Sequence, residues 1–148
     1  MIELMFNLEQ NEDDWPPVGA EGLWCEPVNS LYRVETCPVF VKGISIGDLI
    51  EAETDEDGRV FQFTVAEPSA NSTVWLIFWD KSAIDPALQA LRSLDCDTTG
   101  PLEGMEAKIC SVNVPAAVEF TKVDAVLEPL EQSERIAVAY PSYRHTDS

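Results

Sequence analysis

Apolar and polar residues alternate loosely from the first positions of the chain. Ile2, Leu4, Phe6 and Leu8 share one face of a predicted strand. An acidic loop follows from Glu9 to Asp14 and ends at Trp15-Pro16-Pro17, where paired prolines stop regular structure. Residues 22–28 and 31–35 read as short strands around a turn at Asn29-Ser30. Val39 to Lys42 reads as another, closed by Gly43. The sharpest local signal is a hairpin. Leu49 to Glu53 and Arg59 to Glu67 are strand-like, with Phe61, Phe63 and Val65 on one face. Asp57-Gly58 between them predicts a type I′ turn.

The period changes after Thr73. Thr73 to Trp79 is a continuous apolar run of strand length, which predicts a central strand buried on both faces, Trp75 and Trp79 included. Asp85-Pro86 predicts a helix start, with Asp85 as N-cap and Leu88, Leu91 and Leu94 as the buried stripe. A loop containing Gly100-Pro101 and Gly104 leads to a strand at about 106–114. Val123, Val126, Leu127 and Leu130 then fall at i, i+3, i+4 and i+7 of an amphipathic helix. That helix starts at Pro115 or Thr121, where Thr121 with Asp124 resembles a capping box, and Pro129 should end or kink it. Arg135 to Tyr140 is the last predicted strand, and the tail from Arg144 is expected to be loose. The predicted fold class is α+β: a β-rich N-terminal lobe with antiparallel hairpins, packed on a split βαβ-like C-terminal half with two helices. Residues 1–148 are read as a single domain, with lobes 1–70 and 71–143 and a flexible tail 144–148.

Charge changes the picture more than any motif. The chain carries 27 Asp and Glu against 9 Lys and Arg, a formal net charge of -18. The first 32 residues hold seven acids and no Lys or Arg. Hydrophobic content of 45% is ordinary, so the acids belong on the surface of a folded domain. Such a surface repels nucleic acid and anionic membranes, and attracts a basic protein quickly at low salt. The start, Met1 to Phe6, has no basic n-region and is too short for an apolar h-region. The run Val74–Trp79 is only six residues long and cannot span a bilayer. The expected location is cytoplasmic, with no membrane contact.

Candidate chemistry is sparse. Cys25, Cys37, Cys96 and Cys110 form no C-x-x-C pair and match no zinc module, so they read as reduced, buried thiols. The acidic stretch Glu53 to Gly58 fails as a calcium loop. Aligned on Gly58, its first position is Glu53 and its twelfth is Thr64, and strand residues follow where a helix is required. Asp48 after Gly47 reads as a turn-capping acid. His145 is the only histidine and lies in the tail, a poor place for a catalytic base. No phosphate-binding glycine loop is present. No catalytic residue, metal ligand or cofactor is therefore assigned.

Several strings, in order, resemble a known family. They are Trp15-Pro16-Pro17-Val18, Glu21-Gly22-Leu23-Trp24, Pro38 to Ile44, Gly47-Asp48, Asp57-Gly58, Asn71-Ser72-Thr73 and Val112-Asn113-Val114-Pro115. Together they resemble the bacterial family catalogued as domain of unknown function 4265, over roughly residues 3–140. Cys37-Pro38-Val39 departs from the Ile-Pro-Phe more usual there. The resemblance brings no catalytic residues. It implies a stand-alone bacterial cytosolic protein, and small acidic proteins of that class are often immunity proteins that neutralise a toxin.

The expected function is an acidic binding protein, most concretely an immunity protein that occludes the active site of a basic toxin domain. The expected partner-binding residues are Glu9, Glu12, Asp13 and Asp14 with Trp15 and Trp24, and Asp55, Glu56 and Asp57 at the hairpin tip. Three rivals are a nucleic-acid mimic, a metal-dependent hydrolase and a regulatory domain with an ordinary acidic surface. The mimic is the weaker reading, because the acids cluster at loops and are not spaced like phosphates.

Overall fold

The computed structural model describes residues 1–9, 18–102 and 108–145. The chain divides into two compact units, Met1–Ser69 and Ala70–Ser148. Among the described residues, nine strands in two sheets and two α-helices make an α+β protein, with five strands and no α-helix in the first unit and four strands with both helices in the second.

The first unit is a closed five-stranded barrel. Its strands are β1 (Ile2–Asn7), β2 (Ala20–Val28), β3 (Leu31–Val34), β4 (Leu49–Thr54) and β5 (Val60–Glu67). Neighbours in sequence pair antiparallel, and a parallel contact of Phe6 with Val60 closes the ring. Alternation drives this. Leu4, Phe6, Leu23, Cys25, Val34, Ile50 and Val60 point inward and are buried. Inside, Phe6 meets Phe63 edge to face at 5.7 Å. The β2–β3 turn places Asn29 at φ 57, a conformation its short amide tolerates.

Two predictions in this unit need correcting. The Val39–Lys42 segment is apolar but is not a strand. Val39, Phe40 and Val41 donate their backbone N–H groups to the Glu21 carboxylate, at 2.7, 2.9 and 3.0 Å, so a side chain satisfies them where a neighbouring strand would. Val41 and Ile44 still join the barrel core. The hairpin is present, but its turn is not type I′. The Gly58 N–H donates to the Asp55 carbonyl, and the Asp55 N–H to the Arg59 carbonyl. Gly58 has φ +78, whereas Asp57 is not left-handed. This is a type I turn followed by a glycine bulge.

A register shift between Glu53 and Thr54 moves Phe61 as well. Val60 takes the inward position, so Phe61 stands outward and is 56% exposed, while Phe63 and Val65 keep their places against the core.

The second unit holds β6 (Ser72–Phe78), α1 (Ile84–Ser93), β7 (Asp97–Thr99), β8 (Lys108–Val114), α2 (Phe120–Gln132) and β9 (Ile136–Ser142). Its sheet order is β7-β8-β6-β9, and every pairing is antiparallel. A βαββαβ chain in that order is the split βαβ, ferredoxin-like arrangement. Val74, Leu76 and Phe78 meet Leu88, Leu91, Val123 and Leu127 from the helices.

The strand β6 is central as predicted, yet Trp79 falls just beyond it and is 63% exposed, and Trp75 is only half-buried. The helix α1 starts earlier than Asp85-Pro86 implies. Asp80 caps a preceding 3-10 turn by accepting the Ser82 N–H, and α1 continues from it, with Asp85 and Pro86 inside its first turn. The predicted capping box of α2 does not form, since Thr121 lies inside the helix. Pro129 is carried within α2, one turn from its end, where little ladder remains to lose. The short β7 gave no alternating signal, being only three residues. Among the described residues, no helix is long and apolar enough to cross a membrane.

Candidate functional site

The predicted partner-binding residues divide among three situations. Glu12, Asp13, Asp14 and Trp15 lie outside the described residues. Glu9, Asp55, Glu56 and Asp57 come to one end of the barrel and are exposed. The Asn7 side-chain amide donates to Asp55 Oδ2 at 3.3 Å, which ties the hairpin tip to the end of β1, two residues before Glu9. Trp24 is 48% exposed, but stands opposite Glu3 in the β1–β2 ladder. Four residue steps along β1 separate Glu3 from Asn7, roughly 13 Å of strand. Trp24 therefore forms its own patch. Glu3 is across from it on β1, and Glu35 donates its N–H to the Trp24 carbonyl.

The acids at the hairpin end do different work. Asp55 Oδ1 accepts the N–H groups of Asp57 and Arg59 at 2.9 and 3.0 Å. The bond from Arg59 leads the influences that hold its carboxyl below the usual Asp range. Asp55 thus shapes the turn, while Glu56 and Asp57 project from it. Phe61, which alternation puts on one face with Phe63 and Val65, supplies an exposed apolar element beside them. The one signal for it was the Val60-Phe61 doublet, which breaks a strict period of two.

Asp48 is the turn-capping acid the sequence suggested. It is fully buried, with Oδ2 accepting the Ser45 N–H at 2.9 Å and Oδ1 the Ser69 N–H at 2.7 Å. The four cysteines form no disulfide and are buried. Burial pushes the thiols of Cys25, Cys96 and Cys110 up to about 11, so they resist ionising and are poor nucleophiles.

One arrangement was not foreseen. His145 is not loose. Its Nδ1 lies 2.6 Å from Ser72 Oγ and its Nε2 lies 2.9 Å from the Pro115 carbonyl. A carbonyl can only accept, so Nε2 carries a proton, and in the neutral ring Nδ1 accepts from the Ser72 hydroxyl. Ser72 Oγ in turn accepts the N–H of Arg144 at 2.7 Å and that of His145 at 3.3 Å. A serine, a histidine and an orienting carbonyl imitate a nucleophile and its base. Ser72 has zero exposure, however, so no substrate reaches it, and the cluster acts as a clasp for the C-terminal segment.

A cleft of about 290 Å³ in the second unit lies between the end of α1 and the start of α2, with Asp95, Glu119 and Lys122 at its wall. Charges of both signs there favour no single ligand. Among the described residues, no three His, Cys, Asp or Glu side chains gather in a way that could hold a metal.

The model of a family described as domain of unknown function (DUF4265) matches residues 21–138. The chain belongs to that family. The match includes Glu21, the Pro38–Ile44 segment it anchors and the whole hairpin end. No curated protein matches the chain. Among solved structures it is similar to a hypothetical protein from Neisseria gonorrhoeae, at 14% identity and a TM-score of 0.73. The alignment covers 100% of this chain and 99% of that one. At that identity the likeness concerns the fold.

Proposed function

We propose that this family member is an acidic binding protein that engages a basic protein through the hairpin end of its barrel. The observation that carries the reading is Phe61, 56% exposed on the strand that leaves a tip bearing Asp55, Glu56 and Asp57. An exposed aromatic beside carboxylates offers an anchor to bury and charges to steer the approach. The biological setting proposed is toxin immunity in the bacterial cytoplasm, with the partner's active site occluded sterically. Net charge -18 and four buried cysteines outside any disulfide support a partner that is basic and a compartment that is reducing.

The test is capture of partners from the protein's own bacterium, on wild-type protein and on F61A, each washed at low and high salt. The reading expects one basic protein in near-equal amount, stable to salt once bound, lost with F61A, and enzymatically silenced by the wild-type chain. A salt-labile mixture of basic proteins, or equal recovery on F61A, would end it. Release of the partner by duplex DNA would favour nucleic-acid mimicry instead.

A further inference from the structure

The Ala70–Ser148 unit presents an aromatic platform that the hairpin-end reading does not use. Phe120 opens α2 and is buried, whereas Tyr140 on β9 and Tyr143 just beyond are 46% and 45% exposed. The rings brace one another. Phe120 meets Tyr143 edge-on at 4.8 Å and Tyr140 at 6.1 Å, and the two tyrosines stand at 86° with centroids 6.3 Å apart. Packing of this kind holds the rings in place while leaving about half of each tyrosine to solvent.

Carboxylates stand beside the platform. Asp124, Glu128 and Glu131 fall at i, i+4 and i+7 along α2, a single stripe, and Glu128 and Glu131 are exposed. Their field reaches the platform. Burial raises the Tyr140 phenol first, and Glu131, Asp124 and Glu128 raise it further. These three acids place a negative field around the phenol.

The strand beneath completes the surface. β9 is the terminal strand in the order β7-β8-β6-β9, so among the described residues its outer edge pairs with no strand, and α2 packs against it. An open edge accepts an added strand through its backbone groups. Pro141 removes one N–H near the end of β9, which leaves Ile136 to Tyr140 as the pairing stretch. Alternate residues of an added strand lie about 6.6 Å apart on one face. The step from Asp124 to Glu128 rises about 6 Å along the helix. The two spacings match.

We infer that the β9 edge, Tyr140, Tyr143 and the acidic stripe of α2 form a docking surface for an extended basic protein segment with Lys or Arg at alternate positions. The segment pairs with β9 through its backbone. Its cationic side chains lie over the tyrosine faces and meet the carboxylates. Charge complementarity selects this occupant: an acidic segment is repelled by the stripe, and an apolar one leaves the exposed Glu128 and Glu131 beside a desolvated edge. The inference stands apart from the hairpin-end reading, because it uses other residues in the other unit.

The test titrates isotope-labelled full-length protein with an eight-residue peptide of alternating Lys and Thr, and with its Glu–Thr counterpart, following backbone amide resonances. The Lys peptide should shift Val138 to Tyr140 together with Glu128 and Glu131, and the Glu peptide should not. Y140A and E128K/E131K should each weaken binding about tenfold or more, while F61A leaves it unchanged. These substitutions are at exposed positions, and the amide spectra report directly that each variant is folded. Absence of shifts on β9 and α2, shifts confined to Glu56–Phe61, or affinity unmoved in both platform variants would overturn the inference. A loss of partner capture by F61A would say nothing against it, so the two readings fail separately.

Discussion

The Glu21 carboxylate accepts the backbone N–H of Val39 at 2.7 Å, across eighteen residues of sequence. The same carboxylate takes the N–H groups of Phe40 and Val41. Three donors on one side chain allow an apolar segment to turn inward with no strand beside it. Two of the strings that mark the family, Glu21–Trp24 and Pro38–Ile44, therefore meet in space.

Removing that side chain should leave three backbone donors without their acceptor. Glu21→Ala is expected to cost about 2–4 kcal/mol, since bonds to charged groups contribute the most and Glu21 is half-buried. Glu21→Gln keeps one carbonyl oxygen and should cost less. Urea unfolding at constant slope measures both, and a loss below about 0.5 kcal/mol for the alanine variant would show that the loop holds itself.

The Ser72–His145 clasp makes a prediction about a proton. The neutral imidazole should be the Nε2–H tautomer, which ring nitrogen chemical shifts report directly. Ser72→Ala should unpair Nδ1 and the Arg144 N–H together. The expected result is faster amide exchange at 144–145 and a stability loss of about 1–3 kcal/mol. An Nδ1–H tautomer, or unchanged exchange in the variant, would contradict the clasp.

Alkaline pH should unfold the protein in a defined window. Cys25, Cys96 and Cys110 have an ordinary value of 9.0 and a folded value of about 11. Above pH 9 the unfolded chain releases these protons while the folded chain keeps them. Stability is therefore fully present below pH 9 and falls as pH rises through about 11. Each thiol contributes on the order of 2 kcal/mol to that fall. Thiol labelling at pH 8 should accordingly be slow in the folded protein and complete in urea. Rapid labelling of these three without denaturant would contradict their burial.

Strand period two and helix period 3.6 carried most of the fold. β1, the β2–β3 pair, the β4–β5 hairpin, β6 and both helices follow from alternation or from an i, i+3, i+4 stripe. What misled were residues whose backbone is satisfied out of register. Val39–Lys42 has strand composition, but its donors go to Glu21, a partner no local window contains. Phe61 has the period of its neighbours, and one bulge reverses it. Trp79 extends an apolar run by one residue beyond the sheet. The candidate surfaces were legible in part. The acids at 55–57 could be read as a tip, whereas Tyr140 and Tyr143 join the α2 stripe only once β9 lies beside α2. His145 could not be paired with Ser72 from sequence, because 73 residues separate them.

The central claim is that carboxylates at the hairpin end steer a basic partner and that Phe61 then holds it. The most direct measurement is the association and dissociation kinetics of the captured partner on wild-type, E56K/D57K and F61A proteins, from low to high salt. The account predicts that E56K/D57K slows association about tenfold at low salt and little at high salt, and that F61A speeds dissociation with association unchanged. Association by E56K/D57K as fast as wild type at low salt, with dissociation of F61A also unchanged, would contradict it.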